Sequence, residues 1–408
     1  MTTMFLANAR IVDGTAPEPT APQGVVVENG TIREVGANAR APQGATVIDL
    51  AGKTLMPGLI DAHVHIVAVE ASLGRNATLP DSLIMARSMR LQHEMLLRGF
   101  TTVRDVGGAD HGQVLASEQG FVTGPRLVIS GKALSQSGGH CDFRGPFDNS
   151  TPRFSHRLGA LGRLADGVAE VRRAAREEIK GGARFIKIMA NGGVASPTDP
   201  IDFLGFSREE IEAAVEEARN AGTYVSAHLY TDDGIRRAVE CGVHSLEHCN
   251  LITEETARFA AEQGAIAVPT LVTYDKLSSE GEALGIGPEA VAKVDNVRLA
   301  GMDSIARMQA AGLPMAYGSD LLGEMHRHQS EEFVIRGRVL PAQLVIASAT
   351  HIAAKLCRME GKLGVVAPGA FADFVVVDGD PLQDLALLTR QGAHMPIIIK
   401  GGALVKGG

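Results

Sequence analysis

The sequence of 408 residues has few cysteines, and they do not pair: Cys141, Cys241, Cys249 and Cys357 show no CxxC spacing. That argues against a cysteine-built zinc site and reads instead as small buried thiols kept reduced in a cytoplasm. No apolar run approaches the ~18–20 residues of a membrane span. The opening stretch Met1–Gly14 has no basic segment followed by an apolar one, so no secretory signal is read. A basic tract is also missing, and the net charge of −8 speaks against a general nucleic-acid binder. Neither GxGxxG nor GxxxxGK[ST] occurs, which removes the glycine-rich loop that an open doubly wound nucleotide-binding sheet would want. There is no internal repeat and no low-complexity linker.

What is present describes a soluble globular protein, with 45% hydrophobic and 21% charged residues, and 47 glycines suit a fold with many tight turns. The chain is too long for one small core, so a large domain with a smaller companion is expected. Both ends read as strand and turn. Residues 24–36, GVVVENGTIREVG, place two β-rich runs around Asn29-Gly30, a type I′ hairpin signal. Residues 372–380 and 397–405 repeat that style, the latter hinging on Gly401-Gly402. Neither end has enough strands to bury a core alone, so residues 1–56 and 362–408 are expected to share one small domain.

The middle, residues 57–361, alternates. A helical stretch from Ser82 to Arg98 precedes the run at 101–107. Ser207 and Glu210 form a capping box opening a helix with Ile211, Ala214, Val215 and Ala218 on one face. Strand-like runs at 223–230, 244–250, 265–272 and 313–320 follow, separated by helical patterns. About eight βα units are counted, and units of that number close as a (β/α)₈ TIM barrel. The expected fold is therefore α/β: a barrel with a composite β-sandwich built from both termini. Segments 69–82 and 273–289 are long enough to be pocket loops.

In such a barrel, chemistry sits at the C-terminal strand ends. His63 and His65 are two apart on a strand and share a face. His228 ends one later run, His248 the next and Asp320 the last, each after apolar residues. Lys187 interrupts the buried run Phe185–Met189, where a lysine either snorkels to water or is desolvated and partly neutral.

In order and spacing, MPGLIDAHVHI (56–66), Lys187, His228, His248 and GSD (318–320) resemble the metal-ligand motifs of the amidohydrolase superfamily. The β-rich ends resemble its composite sandwich. More narrowly, SGGHCDF (137–143), AHLYT (227–231) and EHCN (247–250) are similar to the branch holding Xaa-Pro dipeptidases, carboxypeptidase-like enzymes and imidazolonepropionase-like proteins. The resemblance implies two divalent metal ions. His63, His65 and Asp320 would hold one, His228 and His248 the other, and Lys187 would bridge them as N6-carboxylysine. Imidazole and carboxylate ligands suit Zn²⁺ best, with Mn²⁺, Co²⁺ or Fe²⁺ as alternatives.

The implied activity is a binuclear amidohydrolase, peptidase-like, using a metal-bridging hydroxide on a dipeptide or N-acyl amino acid with a free carboxylate. Asp320 would shuttle the proton. His140 either polarises the carbonyl and contacts substrate or is a turn-surface histidine. Tyr230 either hydrogen-bonds substrate or is core. Arg327 and His328, beside His326, either grip a substrate carboxylate or form a solvated loop. One alternative substrate is a bulky aryl amide such as an ochratoxin-type N-acyl phenylalanine. Imidazolonepropionase-like ring opening fits less well, because it does not need the lysine. From another class, a non-catalytic structural relative would have lost ligands that are all present here. Relatives of this kind also imply a homo-oligomer acting on a small-molecule amide or dipeptide, with neither nucleic acid nor membrane as partner.

Overall fold

Both β-rich ends run into one sheet. The computed structural model describes the chain apart from residues 1–2, 153–154, 195, 197–198 and 408 and the side chains of 288–292. Strands β1 (Thr3–Ile11), β2 (Gln23–Glu28), β3 (Thr31–Gly36), β4 (Thr46–Asp49) and β5 (Thr54–Pro57) come from the first sixty residues. They join three late strands in the order β17-β16-β15-β5-β1-β2-β3, with β4 alongside β1. The late strands are β15 (Phe374–Val377), β16 (Ile397–Lys400) and β17 (Ala403–Lys406), and β5 pairs antiparallel with β15. Asn29 and Gly30, at φ 50° and 77°, make the β2–β3 turn left-handed at both central positions, as a type I′ turn requires. Gly401 and Gly402 turn β16 into β17 at φ 56° and 75°. The two turns press together, since a Cβ added to Gly30 would lie 2.6 Å from the Gly401 carbonyl oxygen.

The central strands are parallel. β6 (Leu59–Val64), β7 (Phe100–Asp105) and β8 (Arg126–Ile129) form one sheet. β9 (Ala133–Ser135), β10 (Gly162–Leu164), β11 (Ile186–Met189), β12 (Val225–Thr231), β13 (Ser245–Leu251) and β14 (Ile266–Val268) form another, in the order β10-β9-β11-β12-β13-β14. Every residue of β6 and β7 is buried, the pattern of parallel strands covered on both faces. Helices Asp81–Leu97, Gly167–Lys180, Arg208–Asn220, Asp232–Glu240 and Glu254–Glu262 fill the crossovers, so the fold is α/β. The expected capping box is formed: Glu210 N donates to Ser207 Oγ at 3.3 Å and Ser207 N to Glu210 Oε2 at 2.6 Å. Ile211, Ala214, Val215 and Ala218 are all buried. Among the described residues no helix is long and apolar enough to cross a membrane.

Two local expectations change. Residues 313–320 form no extended strand; Met315 makes one parallel bridge to Ala267, and Ala62 N donates to Tyr317 O at 2.7 Å. That segment therefore runs between β14 and β6. Much of 273–289 is not loop but the end of helix Leu271–Glu280, with a second helix starting at Pro288, and 69–82 contains the short helix Leu73–Thr78.

The parallel strands are tied together by a buried ion pair. Arg104 on β7 and Glu247 on β13 are both 0% exposed, and Arg104 Nη2 meets Glu247 Oε1 at 2.5 Å. Arg104 also donates to Ala62 O (2.6 Å), Ser245 Oγ (3.0 Å) and Tyr224 Oη (3.2 Å). Glu247 Oε1 further accepts from Ser226 Oγ at 2.6 Å, and Oε2 faces His63 Nδ1 at 2.8 Å. Removing one partner of such a pair strands the other charge. Arg104→Met is expected to destabilise the protein by about 3–5 kcal/mol in chemical unfolding. Unchanged stability would show that the pair contributes nothing to folding.

Candidate metal centre

His63 on β6 and His65, just past its end, set the centre. Period-two alternation turns His63 and His65 the same way, and both Nε2 atoms lie 3.3 Å from Asp320 Oδ1. Their Nδ1 atoms are committed elsewhere. His65 Nδ1 lies 2.9 Å from the Gly107 carbonyl, which only accepts, so Nδ1 carries the proton. His63 Nδ1 faces Glu247, whose carboxyl is held well below its usual range against burial, chiefly by the Arg104 charge. Both Nε2 lone pairs are thus turned on a carboxylate. Three acceptors within 4.8 Å of one another are what a cation would reconcile. Without one, a proton does so: burial opposes charging His65, but Asp320 and Asp105 outweigh it and raise its pKa. These residues fit a divalent metal.

The second histidine pair is adjacent. His228 on β12 and His248 on β13 approach at 2.9 Å, Nδ1 to Nε2. His228 Nε2 lies 3.3 Å from Gly192 O and His248 Nδ1 lies 2.8 Å from Thr270 Oγ1. Burial, with the neighbouring imidazoles and Lys187, drives both pKa values well below normal. Both are neutral near pH 7, the form that ligates metal. His248, Cys249 and Asp320 sit at φ 72°, 59° and 51°, unusual backbone for residues with side chains. Strain of that kind turns His248 and Glu247, adjacent in sequence, toward the same interior.

Lys187 on β11 is 1% exposed and lines the cavity that His63, His65, His228, His248 and Asp320 also line. No acceptor among the described residues lies within hydrogen-bond reach of its Nζ. Burial pushes its pKa down to about 8 even with Glu247 and Asp320 opposing. Snorkelling is therefore not what the side chain does. Asp320, half-buried and flanked by His63 and His65, is held well below the usual carboxylate range.

Around this core, His140 lines the cavity and stacks on His228 with ring centroids 4.3 Å apart. Tyr230 stacks on His248 and receives a hydrogen bond from Tyr274 Oη at 3.0 Å. Arg327 and His328 lie elsewhere. Arg327 pairs with Glu280, while His328 lies 2.8 Å from Glu280 and 2.5 Å from Glu331. His326 is buried against Ala68 O, and burial takes its pKa down to about 3. Sequence reasoning did not single out Glu247, Arg104, Thr270 or Tyr274. Nor did it find Asp61, which accepts from Ser319 and Gln329 behind His63. Polar residues inside apolar runs were the available signal.

Residues 54–404 match the amidohydrolase family. The chain is 31% identical to the ochratoxinase of Aspergillus niger over 407 residues, covering 96% of this chain and 84% of that one. A solved structure described as an amidohydrolase is 52% identical with a TM-score of 0.98, covering 100% of both chains. A prolidase solved in complex with N-methylphosphonate-L-proline is 48% identical, with a TM-score of 0.98 and 100% coverage of both chains.

If His63, His65 and Asp320 hold a divalent ion, His65→Ala lowers the metal retained per chain after gel filtration at least ~10-fold in affinity. Elemental analysis giving the same content for the variant and the parent protein would remove the cluster from that role.

Proposed function

The chain belongs to the amidohydrolase family and is a hydrolase acting on carbon–nitrogen bonds, and we propose that it cleaves the amide bond of a dipeptide or N-acyl amino acid bearing a free carboxylate, using two divalent ions. Lys187 carries this reading. A buried ammonium without an acceptor is costly, whereas the neutral amine adds CO₂, releasing a proton and becoming an anionic carbamate with two oxygens. That anion belongs between two cations. His63, His65 and Asp320 would hold one ion and His228 and His248 the other, with the N6-carboxylated Lys187 facing both; this donor set suits Zn²⁺. Bound there, the ions would supply Lewis acidity to a water molecule and to the substrate carbonyl.

The chain's own groups supply the remainder. The Asp320 carboxylate takes a proton from the attacking water and returns it to the leaving amine. Glu247 keeps the proton of His63 on Nδ1. Tyr230 accepts from Tyr274, which frees its own hydroxyl hydrogen for a substrate oxygen. We assign the substrate's polar groups to His140 and Tyr230 rather than Arg327 and His328, whose donors Glu280 and Glu331 occupy.

The prolidase relative supports this reading, because its ligand is a proline bearing a tetrahedral phosphonate. One observation favours a second reading, hydrolysis of bulky aryl amides. A neighbouring cavity of about 580 Å³ shares Cys141, Phe143 and Leu161 with the metal cavity and offers room for a large acyl group. The proposal also covers architecture. Residues 57–361 close as a (β/α)₈ barrel, supported by Asp320 N donating to His63 O at 2.8 Å across the first and last units. Residues 1–56 and 362–408 form a β-sandwich domain. Four unpaired thiols support a reducing cytoplasm, and a homo-oligomer completes the reading.

A panel of Xaa-Pro dipeptides and N-acyl amino acids, each as free acid and as methyl ester, tests the activity with added Zn²⁺. Free acids are expected to turn over and esters to lag; preference for aryl amides regardless of the carboxylate would transfer the function to the second reading. On the best substrate, Asp320→Asn should lower kcat by about 10²–10⁴ with less change in KM.

Lys187 has its own test. Lys187→Ala is expected to lose metal affinity by at least ~10–100-fold and nearly all activity. Added formate, acetate or propionate should restore part of both. Lys187→Arg keeps the charge but cannot carry the carbamate, so full activity in that variant would overturn the bridge.

A further inference from the structure

His140 sits in a seat built from a different part of the chain. The backbone of Gly193 lies directly beneath its ring: a Cβ at 193 would come within 1.8 Å of His140 Cε1 and Nδ1. His228 covers the ring at 4.3 Å with a 22° tilt. The Nδ1 edge meets Ser196 Oγ at 2.8 Å, and Ser196 Oγ makes a short hydrogen bond to Asp199 Oδ1. Ser196 and Asp199 are 3% and 2% exposed. The other carboxylate oxygen, Asp199 Oδ2, is buried without a partner and lies 3.7 Å from His140 Nδ1. The Lys293 ammonium from helix Pro288–Ala310 donates to the carbonyls of Gly193, Ser196 and Asp199 at 3.1–3.2 Å.

The hydrogen-bond direction follows from the inventory of donors. The Asp199 carboxylate and, at 3.4 Å, the Gly193 carbonyl both only accept, so the Ser196 hydroxyl spends its single proton on that side and must accept from His140. Nδ1 of His140 therefore carries a proton. Its Nε2, which has no hydrogen-bond partner among the described residues, is the one ring nitrogen left to face the cavity. We propose that Asp199, acting through Ser196 and held with it by Lys293, is a positioning residue that fixes the orientation and tautomer of His140 for contact with the substrate. The kinetic part of this proposal rests on the amide-hydrolase reading; the orientation does not.

Two measurements test it. In histidine-selective ¹⁵N-labelled protein, His140 is assigned by its absence from the His140→Ala spectrum, and its nitrogen shifts report which ring nitrogen is protonated. The full-length protein should show a protonated Nδ1. Asp199→Asn, which preserves shape, and Ser196→Ala should each shift His140 toward a mixed tautomer. An unchanged Nδ1–H signature in both variants would overturn the proposal. With an amide substrate in hand, Asp199→Asn should lower kcat by about 10–100-fold, the scale of losing a ligand-orienting partner, while KM changes little. In the His140→Ala background the same substitution should have almost no further effect, since its influence runs through that ring. An equal loss in both backgrounds would assign Asp199 a purely structural role. Should no amide be hydrolysed, the activity reading fails while the nitrogen shifts still decide this one.

Discussion

Everything in the centre hangs from one charge pair that water never reaches. Arg104 and Glu247 are wholly buried, and an ion pair in that position contributes only when its remaining donors and acceptors are satisfied. Here they are shared out among strands. Glu247 takes hydrogen bonds from Arg104, Ser226 and Ser245 and holds His63, so one carboxylate joins β6, β7, β12 and β13. The same atoms that tie the strands also decide which nitrogen of His63 is free. Packing and the chemistry of His63 cannot be separated at this point, because a shift in the strands is a shift in that imidazole.

The seat of His140 and the clamp on His63 are two versions of one device. In each, a buried carboxylate engages Nδ1 of an imidazole, directly at His63 and through Ser196 in the seat proposed for His140, and leaves Nε2 outside that contact. Imidazole has two similar nitrogens, and only a fixed neighbour distinguishes them. His65 uses a backbone carbonyl, that of Gly107, for the same purpose. The centre is therefore preorganised before any ion or substrate contributes.

Period-two alternation made His63 and His65 legible, since it turns both to one face. The same rule hid Glu247. Alternation puts neighbours 247 and 248 on opposite faces, and only the left-handed backbone at His248 defeats it. Arg104 was concealed inside a run that reads as apolar strand, its partner being distant in sequence. Arg327 and His328 looked free because Glu280, which holds them, lies 48 residues or so away in the chain. Residues 313–320 have a strand's composition, but the chain makes one bridge to β14 and then separate hydrogen bonds to β6, with Asp320 at φ 51°. Helix Leu271–Glu280 begins without a side-chain cap, so no local signal marked its start within the expected loop. Local pattern thus picked out residues that line one cavity, while long-range partners determined their orientation.

The contact between the Gly30 and Gly401–Gly402 turns bears on how the protein is made. β5 leads into β6, which carries His63 and ends just before His65; β1 covers one edge of β5, yet the partner of the other edge, β15, begins only at Phe374. During synthesis, more than 300 residues separate β5 from β15, so that second edge of β5 waits unpaired while the parallel strands emerge. The first two candidate ligands leave the ribosome early, and the strand that completes the sheet beneath them is among the last parts of the chain to be made. Such distant pairings slow folding and lengthen the exposure of open strand edges. A nascent chain stalled before residue 374 would present every candidate metal ligand on a scaffold that had not yet closed behind them.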